Sequence, residues 1–127
     1  MKIGLIGNGF VGNAVYQNLK EEYDFLIFDT NPERATVNHI REVCSEARVI
    51  FVALPTPMDD KGKCDLSIIE NAMKSISRYY NDNIIILKST VPPGTCEEIN
   101  NRHPKLRLVF SPEFLTEANF VEDFKLC

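Results

Sequence analysis

Three groups of residues in this chain of 127 have the types and spacing to do chemistry. The first is Gly7-Asn8-Gly9-Phe10-Val11-Gly12, a G-x-G-x-x-G set between an apolar, β-branched run and a helical stretch. In that setting Gly7 permits a tight turn, Gly9 lets the backbone approach a pyrophosphate, and Gly12 lets the helix pack closely on the strand. The phosphates then meet a helix N-terminus, where free N–H groups and the macrodipole favour negative charge. The second group is Asp29 with Arg34. Asp29 ends the next apolar run, seventeen residues beyond Gly12, where a carboxylate hydrogen-bonds an adenosine ribose and repels the extra 2′-phosphate of NADP. Such a charge-assisted bond contributes about 1.5–3 kcal/mol. NAD is therefore the expected cofactor, on Gly7 to Gly12 and Asp29. Arg34 is placed to stack on the adenine or to pair with Asp29, although an exposed helical Arg is as often simply solvated.

The third group follows two later apolar runs. One delivers Lys88-Ser89-Thr90-Val91-Pro92-Pro93-Gly94-Thr95, the other Ser111-Pro112-Glu113-Phe114-Leu115-Thr116-Glu117. A carboxylate beside an electrophilic carbonyl can take a proton from water, and a threonine hydroxyl can orient that water. From spacing alone, Glu113 and Glu117 read better as acids of a surface loop or of a helix's first turn than as catalytic groups. Cys44, Cys64, Cys96 and Cys127 form no C-x-x-C pair and have no His spaced for zinc, so no metal site is expected. Cys96 stands one residue into a helix whose N-terminus could lower its pKa. His39 and His103 read as exposed and not catalytic.

The elements that must position these groups alternate. Short apolar runs at Lys2–Ile6, Phe25–Asp29, Val49–Leu54, Asn83–Leu87 and Leu106–Phe110 read as strands buried on both faces. Helical stretches lie between them, at Val11–Glu22, Glu33–Glu46, Leu66–Tyr79 and Thr95–Asn101. The third carries Leu66, Ile69, Met73 and Ile76 on one face, with Asp65 or Ser67 to cap it, and the fourth opens with the capping-box pattern Thr95-Cys-Glu-Glu98. The pattern predicts an α/β fold, a doubly wound parallel sheet of Rossmann type with strand order 3-2-1-4-5, as one domain over residues 1–127. In that order the ligand crevice opens between strands 1 and 4, with Thr90, Glu113 and Glu117 at its nicotinamide end. The loop Pro55–Lys63 leaves the carboxyl end of the third strand, where such sheets hold ligands.

Composition narrows the function classes. The 14 basic and 18 acidic residues give a net charge of −4 and form no cationic run, which disfavours nucleic acid. No segment approaches the roughly 20 apolar residues that span a bilayer, and the first apolar run stops at Gly7-Asn8-Gly9, short of a signal peptide, so a cytoplasmic protein is expected.

Taken together, Gly-x-Gly-x-Val-Gly, Asp29, Leu54-Pro55-Thr56-Pro57, Lys88 to Thr95, and Pro112-Glu113-Phe114-Leu115-x-Glu117 with Asp123-Phe124 resemble the amino-terminal domain of UDP-glucose and GDP-mannose 6-dehydrogenases. The resemblance covers nearly the whole chain. It implies oxidation of a sugar C6 alcohol to a carboxylate in two NAD-dependent steps, through a cysteine-bound thiohemiacetal and thioester. It also implies that Thr90 and Glu113 hold and activate the water that hydrolyses the thioester. Thr56, Thr90 and Glu117 fall where the family contacts NAD, and Glu113, Phe114, Leu115, Thr116 and Glu117 where it lines the sugar nucleotide, UDP-glucose or GDP-mannose. Ser111, Thr116 and Ala118 depart from the family's usual Asn, Arg and Gly or Ser. The interval after Asp29 is shorter than in typical members, and the family's nucleophilic Cys segment, later strands and carboxyl-terminal domains are missing from this sequence. The resemblance thus implies the NAD-binding portion of a UDP-sugar dehydrogenase, inactive alone, working as a homodimer or with a partner chain that carries the catalytic domain. The alternative is a stand-alone NAD-binding or interaction module without chemistry.

Overall fold

A computed structural model describes residues 1–111. The elements run β1 (Lys2–Ile6), α1 (Phe10–Leu19), β2 (Asp24–Phe28), a 3-10 turn (Pro32–Arg34), α2 (Ile40–Glu46), β3 (Val49–Val52), α3 (Ser67–Tyr79), β4 (Ile84–Leu87), α4 (Thr95–Arg102) and β5 (Arg107–Phe110). All four strand pairings are parallel. Parallel pairs need helical crossovers, and those crossovers cover both sheet faces, which is why the strands are apolar runs and not alternating ones. On one face Val43 and Cys44 of α2, Ile69, Met73 and Ile76 of α3, and Ile99 of α4 pack on Ile6, Ile50, Val52, Ile85 and Leu87. On the other, Val15 and Leu19 of α1 pack on Ile3, Leu5, Ile27, Phe51 and Ile86. Each fully buried aliphatic side chain here contributes about 1.5–3 kcal/mol. The apolar face expected of α3 is the one it buries.

The doubly wound Rossmann-like class stands, but the strand order is β2-β1-β3-β4-β5 and not 3-2-1-4-5. The expected order needs a strand outside β2 and a second crossover of a dozen or more residues. Between Asp29 and Val49 there is room for one helix, and α2 carries the chain back past β1 to pair β3 with it. The outer edge of β2 is closed in another way. Thr36 N and Val37 N donate to Ile27 O at 2.9 and 3.1 Å, and Ile27 N donates to Thr36 Oγ1 at 2.9 Å. The bend at Thr36–Val37 therefore occupies the edge where a further strand would pair.

That segment also corrects the helix expected over Glu33–Glu46. The 3-10 turn, capped by Asn31 Oδ1 accepting from Glu33 N, ends at Arg34, and α2 begins only at Ile40, with His39 Nδ1 accepting from Arg41 N as its cap. The start of α4 differs as well: Gly94, at φ 88°, is the cap, and Thr95 is a buried first-turn residue in place of the expected capping box. At α3 the Asp65 carboxylate accepts from Ser67 N at 2.9 Å, and those hydrogen bonds hold its pKa below the ordinary value. The loop after β3 folds as a hairpin, with Met58 bridged to Cys64 and Asp59 Oδ1 accepting from Lys61 N and Lys63 N.

Candidate functional site

In this strand order the chain reverses direction between β1 and β3, since α1 leads one way along the sheet and α2 the other. A crevice is expected there, at the carboxyl ends of the strands, and not between strands 1 and 4. It is there. A cavity of about 580 Å3 is lined by Gly7, Gly9, Phe10, Val11, Asp29, Thr30 and Arg34 on one side and Leu54, Pro55, Thr56, Ile68, Lys88, Ser89 and Thr90 on the other. That volume falls in the roughly 300–1,000 Å3 range of small-molecule sites.

The glycine loop divides its labour as its spacing predicts. Gly7 sits at φ 95° with its N–H donating to Phe28 O, and a Cβ on it would lie 2.3 Å from Ala53 O. A Cβ on Gly12 would lie 1.9 Å from Gly7 O, so α1 packs against its own loop only because that Cβ is missing. At Gly9 a Cβ would meet nothing within 4 Å; the backbone there faces the open crevice. The first helical bond of α1 runs from Asn13 N to Gly9 O, which leaves the N–H groups ahead of it without acceptors in the helix. Among the described α-helices, α1 alone has no acidic side chain in its first turn. The positive end of its dipole is therefore left for an outside anion. Open backbone at Gly9, uncompensated N–H groups and a cavity of the right size together fit a dinucleotide pyrophosphate.

Asp29 follows β2 directly and stands at the rim, where Oδ2 accepts from Asn8 N at 2.7 Å and Oδ1 from Asn31 N at 2.8 Å. Those two bonds fix the carboxylate and leave acceptor capacity on both oxygens for ribose hydroxyls. Arg34 lines the same end of the crevice; the Asp29 oxygens are engaged by backbone N–H groups and not by its guanidinium. Asn8 and Gly12 do not line the crevice. Asn8 reaches sideways, its Nδ2 donating to Arg34 O at 2.9 Å.

The opposite wall is held by a pair of clips. Ser89 Oγ accepts from Leu54 N at 2.9 Å and donates to Leu54 O at 2.7 Å, while Thr56 Oγ1 donates to Thr90 O at 3.0 Å. They tie the loop after β3 to the loop after β4 and bring Thr56 and Thr90 onto one wall. Ser89 carries no signal in the sequence beyond its place between Lys88 and Thr90, and its part as a clip emerges only from the register of β3 with β4. Lys88, 1% exposed, lines the crevice floor. Glu113, Phe114, Leu115, Thr116 and Glu117, together with Asp123, Phe124 and Cys127, lie outside the described residues.

Burial leaves Cys44 and Cys96 poorly suited to nucleophilic attack. Burial in the core pushes Cys44 up to about 11. Cys96 is also raised by burial, against the expectation that the α4 N-terminus would lower it, because its side chain packs on the apolar cluster beneath α4. Cys64 Sγ lies 3.9 Å from Thr56 O in the hairpin. No helix among the described residues is long and apolar enough to cross a membrane.

Residues 34–126 match the model of the UDP-glucose/GDP-mannose dehydrogenase family, NAD binding domain. The chain is 31% identical over 115 residues to a UDP-glucose 6-dehydrogenase of Rickettsia felis, covering 87% of this chain and 25% of the relative. It is 30% identical to that of Campylobacter jejuni, covering 97% of this chain and 39% of the relative. Its fold superposes with a TM-score of 0.75 on a GDP-mannose dehydrogenase of Pseudomonas aeruginosa, at 20% identity, over 98% of this chain and 38% of that one. The chain thus spans between a quarter and two fifths of these proteins.

Proposed function

The chain belongs to the UDP-glucose/GDP-mannose dehydrogenase family, whose NAD-binding domain it carries, and on that premise we propose that it is the cofactor-holding part of a nucleotide-sugar 6-dehydrogenase acting on UDP-glucose. The observation that carries this reading is one crevice bounded by an open Gly9 backbone at the α1 N-terminus, a fixed Asp29 carboxylate, and the Thr56–Thr90 wall. Residues 1–127 act as one NAD-binding domain. The loop Gly7 to Gly12 holds the pyrophosphate against N–H groups, Asp29 and Arg34 take the adenosine end, and Thr56, Thr90 and Glu117 take the nicotinamide end. NAD, when bound, supplies the hydride acceptor for oxidation of the sugar C6 alcohol and then of the aldehyde.

In this reading Thr90 and Glu113 orient and deprotonate the water that releases the carboxylate, and Glu113 to Glu117 contact the sugar nucleotide. Burial raises the Cys44 and Cys96 thiols, so the thiolate that must attack the aldehyde comes from another segment of the enzyme, on this polypeptide or on a partner chain. Three free thiols, Cys44, Cys64 and Cys96, accord with a cytoplasmic setting. The test is NADH formation, followed by absorbance, with the purified chain, NAD and either UDP-glucose or GDP-mannose. The chain alone is expected to be silent, and to gain activity on addition of a cysteine-bearing catalytic domain. Turnover by the chain alone that Cys96→Ser abolishes contradicts the reading. The raised thiols also favour a second one, a non-catalytic NAD-binding module, for which no added domain restores turnover.

A further inference from the structure

We infer that Asn8 is a positioning residue that sets cofactor affinity through Arg34, without touching the cofactor. The inference rests on the proposed seating of the adenosine end in this crevice. Asn8 occupies the variable second position of the glycine loop, and its backbone N–H and its side-chain amide both donate to acceptors within the protein. Its backbone N–H goes to Asp29 Oδ2 at 2.7 Å and its Nδ2 to Arg34 O at 2.9 Å. Its Oδ1 is buried with no partner among the described residues, so the side chain is held by its donor end alone. Neither end is offered to the crevice, whose lining includes Gly7, Gly9 and Phe10 but not Asn8.

What Asn8 holds is the end of a small, otherwise exposed turn. The Pro32–Arg34 turn has no buried residue; it is fixed by Asn31, whose side chain accepts from Glu33 N and whose carbonyl accepts from Arg34 N at 3.0 Å. Asn31 is in turn tied by its own N–H to Asp29 Oδ1. The amide of Asn8 is the hydrogen bond that runs from the phosphate loop directly to Arg34, across a separation of 26 residues. Its loss leaves the exposed turn held only at its flanks, by Asn31 before it and by the Thr36 and Val37 bonds to Ile27 after it, with no tie from Arg34 itself to the phosphate loop. The guanidinium then samples positions away from the crevice, and the ordering lost is recovered only at the expense of affinity. A non-polar side chain at position 8 keeps the Asp29 contact, which uses the backbone, and removes the Arg34 contact alone.

The test is a double-mutant cycle on the full chain, with AMP and nicotinamide mononucleotide as probes of the two halves of NAD. Asn8→Ala is expected to weaken AMP binding about fivefold to tenfold, the loss of one hydrogen bond of ordinary strength. Nicotinamide mononucleotide affinity stays unchanged, and in an Arg34→Ala background the same substitution changes AMP affinity less than about twofold. Asn8→Ser, which keeps a small polar side chain too short to reach Arg34 O, gives the same pattern if Asn8→Ala folds poorly. The inference is overturned if Asn8→Ala and Asn8→Ser bind AMP like the parent, if their effect multiplies with that of Arg34→Ala, or if both nucleotides weaken together. Gly9→Val separates this from failure of the underlying reading. If it leaves AMP binding intact, the crevice is not the site; if it abolishes binding while Asn8→Ala has no effect, only the inference about Asn8 falls.

Discussion

Gly9 and Gly12 stand three residues apart in one motif, yet adding a Cβ has opposite consequences at the two. At Gly12 the new atom would lie 1.9 Å from Gly7 O and 3.0 Å from Gly7 C. Those are backbone atoms of a turn already fixed at φ 95° and pinned to Phe28 O, so neither partner can swing aside. Gly12→Ala must push α1 off the sheet, lifting Val15 and Leu19 from Leu5 and Phe51. Overpacking of this kind costs about 3 kcal/mol or more. At roughly 3–5 °C per kcal/mol for a domain of this size, the melting temperature falls by about 10 °C or more. At Gly9 a Cβ meets nothing within 4 Å, and the residue is a helix cap in an extended conformation open to any side chain. Gly9→Val therefore costs only the exchange of a good cap residue for a poor one, about 1 kcal/mol, while its branched side chain fills the space beside the α1 N–H groups. Thermal unfolding by circular dichroism and NAD titration by calorimetry read the two effects separately. Gly12→Ala should melt early, and Gly9→Val should melt near the parent and show no detectable NAD binding. A Gly12→Ala chain as stable as the parent, or a folded Gly9→Val chain that binds NAD normally, refutes the reasoning.

Asp29→Ala should weaken NAD binding by about tenfold and narrow the preference over NADP, as seen by titrating both cofactors, since the carboxylate both accepts from the ribose and repels a 2′-phosphate. Ser89→Ala removes both side-chain hydrogen bonds to the Leu54 backbone at the crevice wall and is expected to lower stability by about 1–3 kcal/mol in urea unfolding; an unchanged midpoint contradicts the clip. Cys44 ionises near pH 9 when unfolded and near 11 when folded, so the unfolded state holds fewer protons between those values. Stability contributed by this thiol should therefore fall as pH rises from 9 to 11, by at most about 1.4 kcal/mol per pH unit, and Cys44→Ala should flatten that slope.

The features legible in the sequence are those whose cause is local. The run Lys2–Ile6 is β1 to the residue, because an unbroken apolar stretch ended by Gly7 has few other ways to fold. The glycine loop and Asp29 follow from steric demands that belong to single positions. The fold class is legible from alternation. The strand order is not, because it depends on whether Thr36 and Val37 close the β2 edge, a pairing nine residues from Ile27 that no periodicity reports. The same pairing removes Ala35 to His39 from a helix that their neighbours would otherwise extend. At α4 the capping-box pattern is present in the sequence, but Pro92-Pro93-Gly94 starts the helix one residue earlier through a left-handed glycine. Of the site, Gly7, Gly9, Asp29, Arg34, Thr56 and Thr90 line one crevice and are each marked in the sequence by motif or position, whereas Ser89 and the sideways reach of Asn8 depend on contacts between distant strands and loops.

Backbone amide chemical shifts of the chain titrated with NAD report directly where the cofactor binds. Shifts are expected to concentrate at Gly7 to Gly12, Asp29 to Arg34, Leu54 to Thr56 and Ser89–Thr90, the four segments that border the crevice between β1 and β3. Shifts gathered instead at the groove of about 200 Å3 between α3 and α4, around Glu70, Lys74, Arg102 and His103, or no shifts at saturating NAD, contradict NAD binding in that crevice.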